Sequence, residues 1–315
     1  YAECEAAFGL DRLLGLWDSL NDDDREAFCF DPRVIDWDHY FREIHLPSVV
    51  QTGRVPMSPP SRGGETRSSR LRRQVLSPDR HLAAFDLENT LIASNVVASF
   101  TWLASRRLDS RDRLRLVART LAEAPALLAL DRRDRSDFLR HFYRRYEGAP
   151  VDQIAEDSAE QFSDLILSRA FPAAIRRVRE HRALGHRTVL ITGALDFVVE
   201  PLGPLFDDIV CASLGIDDGT YNGRLRSVPP TGEARFQALT DYADHHDLDL
   251  RESVAYADSA SDLPMLEAVG FPVAVNPEVR LASIARRRGW LTEDFAKAGG
   301  MTNRLLPLAP ARRGA

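Results

Sequence analysis

What this sequence lacks already excludes several classes of protein. Its three cysteines, Cys4, Cys29 and Cys211, lie far apart with no CxxC pair, so neither a disulfide framework nor a cysteine zinc site is available and a reducing cytoplasm is the expected compartment. No stretch approaches the roughly 18 apolar residues that a membrane span needs, and no stable membrane insertion is expected. An excess of basic charge is missing too: 41 Lys and Arg face 47 Asp and Glu, for a formal charge of −6. That balance removes the electrostatic footprint of a general nucleic-acid binder. Lysine itself is nearly absent, since Lys297 is the only one, so any chemistry that needs a fixed cation falls to arginine. The chain opens on Tyr1 rather than an initiator Met, with neither a signal peptide nor an Arg-rich transit segment after it. The expectation is the C-terminal piece of a longer protein.

What is present fits a soluble globular protein: 315 residues, 44% hydrophobic and 28% charged, enough for two ordinary domains or one large one. Residues 1–50 hold an amphipathic helix candidate at 6–20 and an aromatic-rich segment at 28–41. Residues 51–80 carry four prolines and seven arginines against two acids, with no apolar period, and read as a basic linker. Arg67, Arg70, Arg72 and Arg73 have no interleaved aromatics for base stacking. From His81 onward, short apolar runs alternate with helical patterns, the signature of strand–helix units around a parallel sheet. The spacing predicts strands at 82–87, 188–192, 208–212, 253–258 and 272–275, and a hairpin at 213–227. Between the first two strands, 96–106, 111–130, 135–146 and 151–168 show helical periodicity. The expected fold is therefore α/β, a doubly wound parallel sheet with a helical insertion after its first strand. The division is a core at 81–93 and 169–295, a helical insertion at 94–168 and a tail at 296–315.

Three strand ends carry candidate chemistry. The first apolar run closes on Asp86-Leu-Glu88, two carboxylates one residue apart where parallel sheets place ligand sites; one can serve as nucleophile or metal ligand and the other as proton donor. A helix N-cap or a solvated turn explains the same pattern equally well. The second run ends in Thr192-Gly193-Ala194 and opens onto a predicted helix at 195–205. Its hydroxyl and N–H groups would face an anion with the helix dipole in support, although a plain N-cap is the simpler account. The third ends in Asp258-Ser-Ala-Ser-Asp262, with Asp262 expected one turn into the next helix and facing back beside Asp258. Three carboxylates around one point call for a hard divalent cation such as Mg²⁺, and the absence of nearby His and Cys argues against zinc. Arg235, opening the helix before the third of these strands, can present a planar fork to phosphate oxygens, or be one more solvated arginine.

In this order, Asp-Leu-Glu-Asn-Thr-Leu, a hydroxyl-Gly strand end, a basic residue and Asp-Ser-Ala-Ser-Asp resemble the four motifs of the haloacid dehalogenase superfamily. The run 255–270, with 272–277, looks like subfamily IB, the phosphoserine-phosphatase-like hydrolases. The resemblance spans roughly residues 81–292 and implies a Rossmann-like core with a helical cap in the insertion. It further implies a Mg²⁺-dependent phosphomonoesterase in which Asp86 attacks phosphorus to form an aspartyl-phosphate and Glu88 handles the leaving-group proton. Thr192, Gly193 and Arg235 would hold the phosphoryl oxygens. The Asp86 carboxylate, the Glu88 carbonyl, Asp258 and Asp262 would hold the metal. The sequence departs from that family where Glu88 replaces an Asp, Arg235 a Lys, and Ala194 a small hydroxyl residue. Glu88 leaves open a weak or silent ligand-binding or regulatory module, and a phosphotransferase using the same intermediate is the other alternative. Residues 28–47 resemble the closing stretch of fatty acyl-CoA reductases, which implies a reductase fusion or partner and makes a lipid-linked phosphate a candidate substrate beside a small phosphorylated metabolite. The insertion arginines Arg132, Arg133, Arg140, Arg144 and Arg145 are expected mostly as a solvated face.

Overall fold

The computed structural model describes residues 10–48, 66–297 and 307–310, in two compact units, Tyr1–Gly64 and Glu65–Ala315. In the first unit, helices Asp11–Ser19 and Asp22–Ala27 are followed by a turn at Pro32–Val34 and helical segments Trp37–His39 and Tyr40–His45. Asn21 caps the second helix by accepting the Asp24 N–H at 2.8 Å. The amphipathic helix expected at 6–20 is present as Asp11–Ser19 but buries no residue; residues 6–9 lie outside the described ones.

The second unit contains strands β1 Leu82–Phe85, β2 Arg187–Leu195, β3 Asp208–Ala212, β4 Leu214–Asp217, β5 Thr220–Leu225, β6 Val254–Ala257, β7 Phe271–Val275 and β8 Leu291–Glu293. Six of them form one sheet in the order β3-β2-β1-β6-β7-β8, every pair parallel, and β4 and β5 form the expected hairpin. The central strands are buried on both faces, which is why they read as uninterrupted apolar runs. Alternation still sorts them: Ala83, Phe85, Leu190 and Tyr256 face one layer, while Leu82, Ala84, Val189 and Ala255 face the other. β8 was not among the expected strands; it is three residues long and follows an arginine-rich helix.

Helices α1 Arg67–Val75, α2 Val96–Ser105, α3 Ser110–Arg133, α4 Arg135–Tyr143, α5 Val151–Gln161, α6 Pro172–Ala183, α7 Glu233–His245, α8 Leu263–Ala268 and α9 Val279–Arg288 complete the unit. The four helices expected between the first two strands are α2 to α5. Side-chain caps set the starts of α2, α3 and α4: Asn95, Asp109 and Asp134 each accept an N–H from the first turn that follows. The hairpin ties this insertion to the rest of the unit, because Gly148 and Val151 donate to the Tyr221 and Gly219 carbonyls at 2.8 and 3.0 Å.

Two expectations about connecting segments need correction. The linker read at 51–80 holds a helix from Arg67: Thr66 caps it, Val75 is buried, and Arg72 pairs with the buried Glu293 at 2.7 Å. Its single buried position leaves no apolar period to detect. Residues 51–65 lie outside the described ones. In the tail read at 296–315, residues 307–310 are docked: the Ala309 N–H donates to Ser105 Oγ at 2.9 Å, and Arg106 donates to the Pro310 carbonyl at 2.9 Å. Residues 298–306 and 311–315 lie outside the described ones.

Candidate active site

After β1 the chain builds β2 and β3 to one side, and after β3 it returns to build β6, β7 and β8 on the other. The neighbouring carboxyl ends of β1 and β6 thus flank the topological switch point where open α/β sheets form their ligand crevice. Asp86 follows β1 and Asp258 follows β6. Asp262 ends the short turn Ala260–Asp262 and stands at the N-cap of α8, not one turn into a helix as expected. Carboxylate oxygens of Asp86, Asp258 and Asp262 lie within 4.8 Å of one another.

Arg235, in the first turn of α7, is 5% exposed and bridges two of these acids. Its Nη2 lies 2.8 Å from Asp86 Oδ1, its Nη1 pairs with Asp262 Oδ1, and its Nε donates to the Pro230 carbonyl at 3.2 Å. It therefore sits inside the cluster, neither at its mouth nor solvated. Three carboxylates against one guanidinium leave two negative charges in excess. Burial pushes Asp86 well above the usual carboxylate range; Arg235 opposes this, and Asp262, Asp258 and Glu88 add to it. Asp258 is raised to about 7, first by burial and then by Asp262 and Glu88, against a hydrogen bond from Asn89 and the charge of Arg235. Burial alone would lower Arg235, but Asp262 and Asp86 outweigh it and raise its pKa. The oxygen-only donor set and the surplus negative charge suit a hard divalent cation.

Glu88 stands at the edge of this cluster and turns toward the insertion. One carboxylate oxygen accepts the Val96 N–H at 2.8 Å at the start of α2, and the other pairs with Arg135 at the start of α4. Thr192 is buried, and its Oγ1 accepts the Ala194 N–H at 3.1 Å. The helix expected at 195–205 is present, beginning at Asp196. β2 runs on to Leu195, with an irregular register against β3 between Ile191 and Leu195, and the helix Asp196–Val199 follows and continues as the 3-10 turn Glu200–Leu205. Thr192 stands three residues ahead of the N-cap, Leu195, so its hydroxyl does not cap that helix. Gly193 is where α4 meets the sheet: its carbonyl accepts from Tyr143 Oη at 2.7 Å, and an added Cβ would lie 2.6 Å from Leu139 Cδ1 and 2.7 Å from Thr231 Cγ2. Between the sheet and the insertion is a mostly apolar pocket that includes Leu87, Ile92, Val96, Tyr146, Ala194 and Val198, with Glu88 on its wall.

The sequence reading missed Arg135 and Tyr143. Arg135 holds Asp131 at 2.7 Å as well as Glu88, and the two acids together raise its pKa although burial opposes them. Nothing at position 135 marks it apart from its many neighbouring arginines. Of the insertion arginines named from sequence, Arg133, Arg140 and Arg144 are exposed as expected. Arg145 instead pairs with Glu123 and lies 5.1 Å over the Phe142 ring; the Arg132 side chain lies outside the described ones.

Comparison with known proteins agrees with this geometry. The haloacid dehalogenase-like hydrolase profile matches residues 83–267. An inhibition of morphological differentiation protein of Streptomyces azureus is 32% identical, over 72% of this chain and 82% of its own. A phosphoserine phosphatase of Mycobacterium tuberculosis is 28% identical, over 68% and 70%. A solved structure of a Bordetella pertussis protein of unknown function superposes with a TM-score of 0.61 at 26% identity, over 69% of this chain and 99% of that one. With the six-stranded sheet and the acids at its switch point, the match establishes that this chain belongs to the haloacid dehalogenase-like hydrolase family.

Proposed function

We propose that the protein is a Mg²⁺-dependent phosphomonoester hydrolase of the phosphoserine-phosphatase-like subfamily IB, with α2 to α5 as its cap. The observation that carries this reading is the convergence of Asp86, Asp258 and Asp262 within 4.8 Å at the switch point, with Arg235 bridging two of them. The Asp86, Asp258 and Asp262 carboxylates and the Glu88 carbonyl would hold Mg²⁺. When bound, it would neutralise charge on the phosphoryl oxygens and keep the acids ionised.

Asp86 attacks phosphorus, and the bond from phosphorus to the leaving oxygen breaks as the Asp86–phosphorus bond forms. The leaving oxygen takes its proton from the Glu88 carboxyl. Water then attacks the phosphorus of the aspartyl-phosphate, gives its proton to Glu88, and frees Asp86 and inorganic phosphate. Arg235 and the Thr192 hydroxyl donate to the phosphoryl oxygens, and the Gly193 backbone shapes the wall beside them. The apolar lining beside Glu88 keeps bulk water from that side of the site.

Phosphate release from a panel of phosphomonoesters, with and without Mg²⁺, tests the reading. Metal-dependent release that disappears in Asp86→Asn is the expected result; metal-independent release, or full activity in Asp86→Asn, sinks it. The resting contacts of Glu88 with Val96 and Arg135 favour a second reading, a phosphate-binding module with little turnover. That reading wins if Mg²⁺ and phosphate bind but nothing is released.

For the first unit we propose the closing stretch of a fatty acyl-CoA reductase domain, which would place a lipid-linked phosphate among the substrates. Its exposed Trp37, Phe41, Ile44 and Leu46 support this as a surface that further chain would cover.

A further inference from the structure

α3 is the longest helix described, 24 residues, and its outer face is not that of a solvated helix. Leu114, Leu121 and Leu128 follow one another at every seventh position and are 71, 47 and 56% exposed. Residues seven apart stand on nearly the same side of a helix, so the three form one outward stripe about 21 Å long at 1.5 Å rise per residue. The neighbouring exposed positions are small, Ala118, Ala122 and Ala129, and leave the leucines standing proud. The helix packs inward through Thr120 and Leu127, each one residue, or about 100° of turn, from a stripe leucine. The stripe is therefore not a core face left uncovered by a local error of packing.

Basic charge collects at the stripe's N-terminal end. Arg111 is exposed, and the Arg115 and Arg119 side chains are 79 and 72% exposed. Over the whole helix six arginines face three acids. Asp112 and Glu123 pair with Arg115 and Arg119 only at the surface, where such pairs hold weakly and exchange readily for other anions. Apolar side chains on the outward face with arginines beside them are the pattern of a helix that lies in the plane of an anionic membrane surface.

Two further observations favour a lipid surface over a second copy of the chain. Three leucines and their small neighbours on one helix fall well short of the roughly 800 Å² per partner that a stable dimer buries. Pro125, also exposed, lacks the N–H that would bond to the Leu121 carbonyl. Beside the exposed Leu121 and Pro125, hydrated headgroups can supply the missing donor, which a dry helix seam cannot.

We propose that the outer face of α3 is a membrane-docking surface, in which Leu114, Leu121 and Leu128 enter the headgroup boundary of an anionic bilayer and Arg111, Arg115 and Arg119 meet its phosphates. No helix among the described residues is long and apolar enough to cross a membrane, so the contact is peripheral. The proposal stands apart from catalysis and holds whichever reading of the active site survives.

The test is co-sedimentation of the full chain with vesicles of phosphatidylcholine alone and of phosphatidylcholine with phosphatidylglycerol. A triple variant, Leu114→Ser, Leu121→Ser and Leu128→Ser, runs in parallel with a charge variant, Arg115→Gln and Arg119→Gln. The expected result is binding to the anionic vesicles that 0.5 M salt weakens, on the order of tenfold weaker in the triple variant and severalfold weaker in the charge variant. An unchanged circular dichroism melt in both variants excludes misfolding as the cause; if the triple variant melts lower, the charge variant and the salt titration decide alone. Equal binding by all three proteins places the lipid contact elsewhere and overturns the proposal. So does absence of binding to either vesicle, or a dimer in solution that the triple variant dissociates.

Discussion

The two walls of the candidate site are held by different means. On the sheet wall, Asp86 and Asp258 leave neighbouring strands whose register is set by backbone hydrogen bonds, Phe85 opposite Tyr256, and Arg235 locks Asp86 to Asp262 from within. On the helical wall, Glu88 and Arg135 meet through side chains alone, 47 residues apart, with 19 and 25% of their side chains exposed. A backbone-fixed wall positions groups to fractions of an ångström, whereas a side-chain contact between two layers can open and close. That division suits phosphoryl transfer, in which the nucleophile must stay fixed while the substrate enters and leaves.

The sharpest way to break this contrast is to remove the buried cation of the sheet wall and, for comparison, an exposed arginine of the insertion. Arg235→Met leaves two buried carboxylates without their partner; the expected loss is about 3 kcal/mol of stability and on the order of 10²-fold or more in phosphate release. Arg140→Met, at a side chain 51% exposed on the insertion, is expected to change neither measurably. Thermal melts and phosphate release on both variants decide it; equal effects would show that Arg235 owes nothing to its buried place between Asp86 and Asp262.

Glu88→Gln tests the helical wall. Losing a proton donor costs about 10²-fold or more with alkyl phosphates, and far less with an aryl phosphate, whose leaving oxygen needs no proton. Arg135→Ala, which releases Glu88 and Asp131 from their shared partner without touching a proton donor, is expected to act within about tenfold. A loss in Glu88→Gln that is equal for alkyl and aryl substrates would remove Glu88 from proton transfer.

Gly193→Ala tests where the walls touch. The new Cβ would meet Leu139 Cδ1 at 2.6 Å and Thr231 Cγ2 at 2.7 Å; both are side-chain ends that can yield, so the expected cost is about 1–3 kcal/mol. Adding Leu139→Ala should relieve part of the clash, at the price of a cavity. A melt of Gly193→Ala equal to that of the parent would show that α4 can lift away from the sheet freely.

The contrast also governs what could be read from the sequence. Asp86 and Asp258 were legible because buried parallel strands are continuous apolar runs and the first carboxylate after each marks its end. Arg235 was legible as a position but not as a bridge, because burial depends on how α7 sits against two strand ends. Asp262 was placed a turn too far into its helix, since a short turn precedes α8. The Glu88–Arg135 pair was not legible: many arginines in the insertion satisfy the same periodicity, and only the packing of α4 on Gly193 selects one. The same holds for α1, whose nine residues bury Val75 alone.

The smallest expected effect concerns protons and the sheet wall alone. Asp258 is raised from 3.8 to about 7, and Asp86 is raised as well. The folded state therefore binds protons more tightly than the unfolded chain. Without a divalent cation, the stability these groups contribute is fully present below about pH 4 and is lost as the pH rises through about 7. On the proposed reading Mg²⁺ would compete with those protons, so its stabilisation should be absent at low pH and grow toward neutrality. Melting temperatures between pH 4 and 8, in EDTA and in Mg²⁺, should diverge as the pH rises, and Asp258→Asn should flatten the EDTA curve. If the two curves run parallel, cation and proton do not share these carboxylates, and the metal belongs elsewhere.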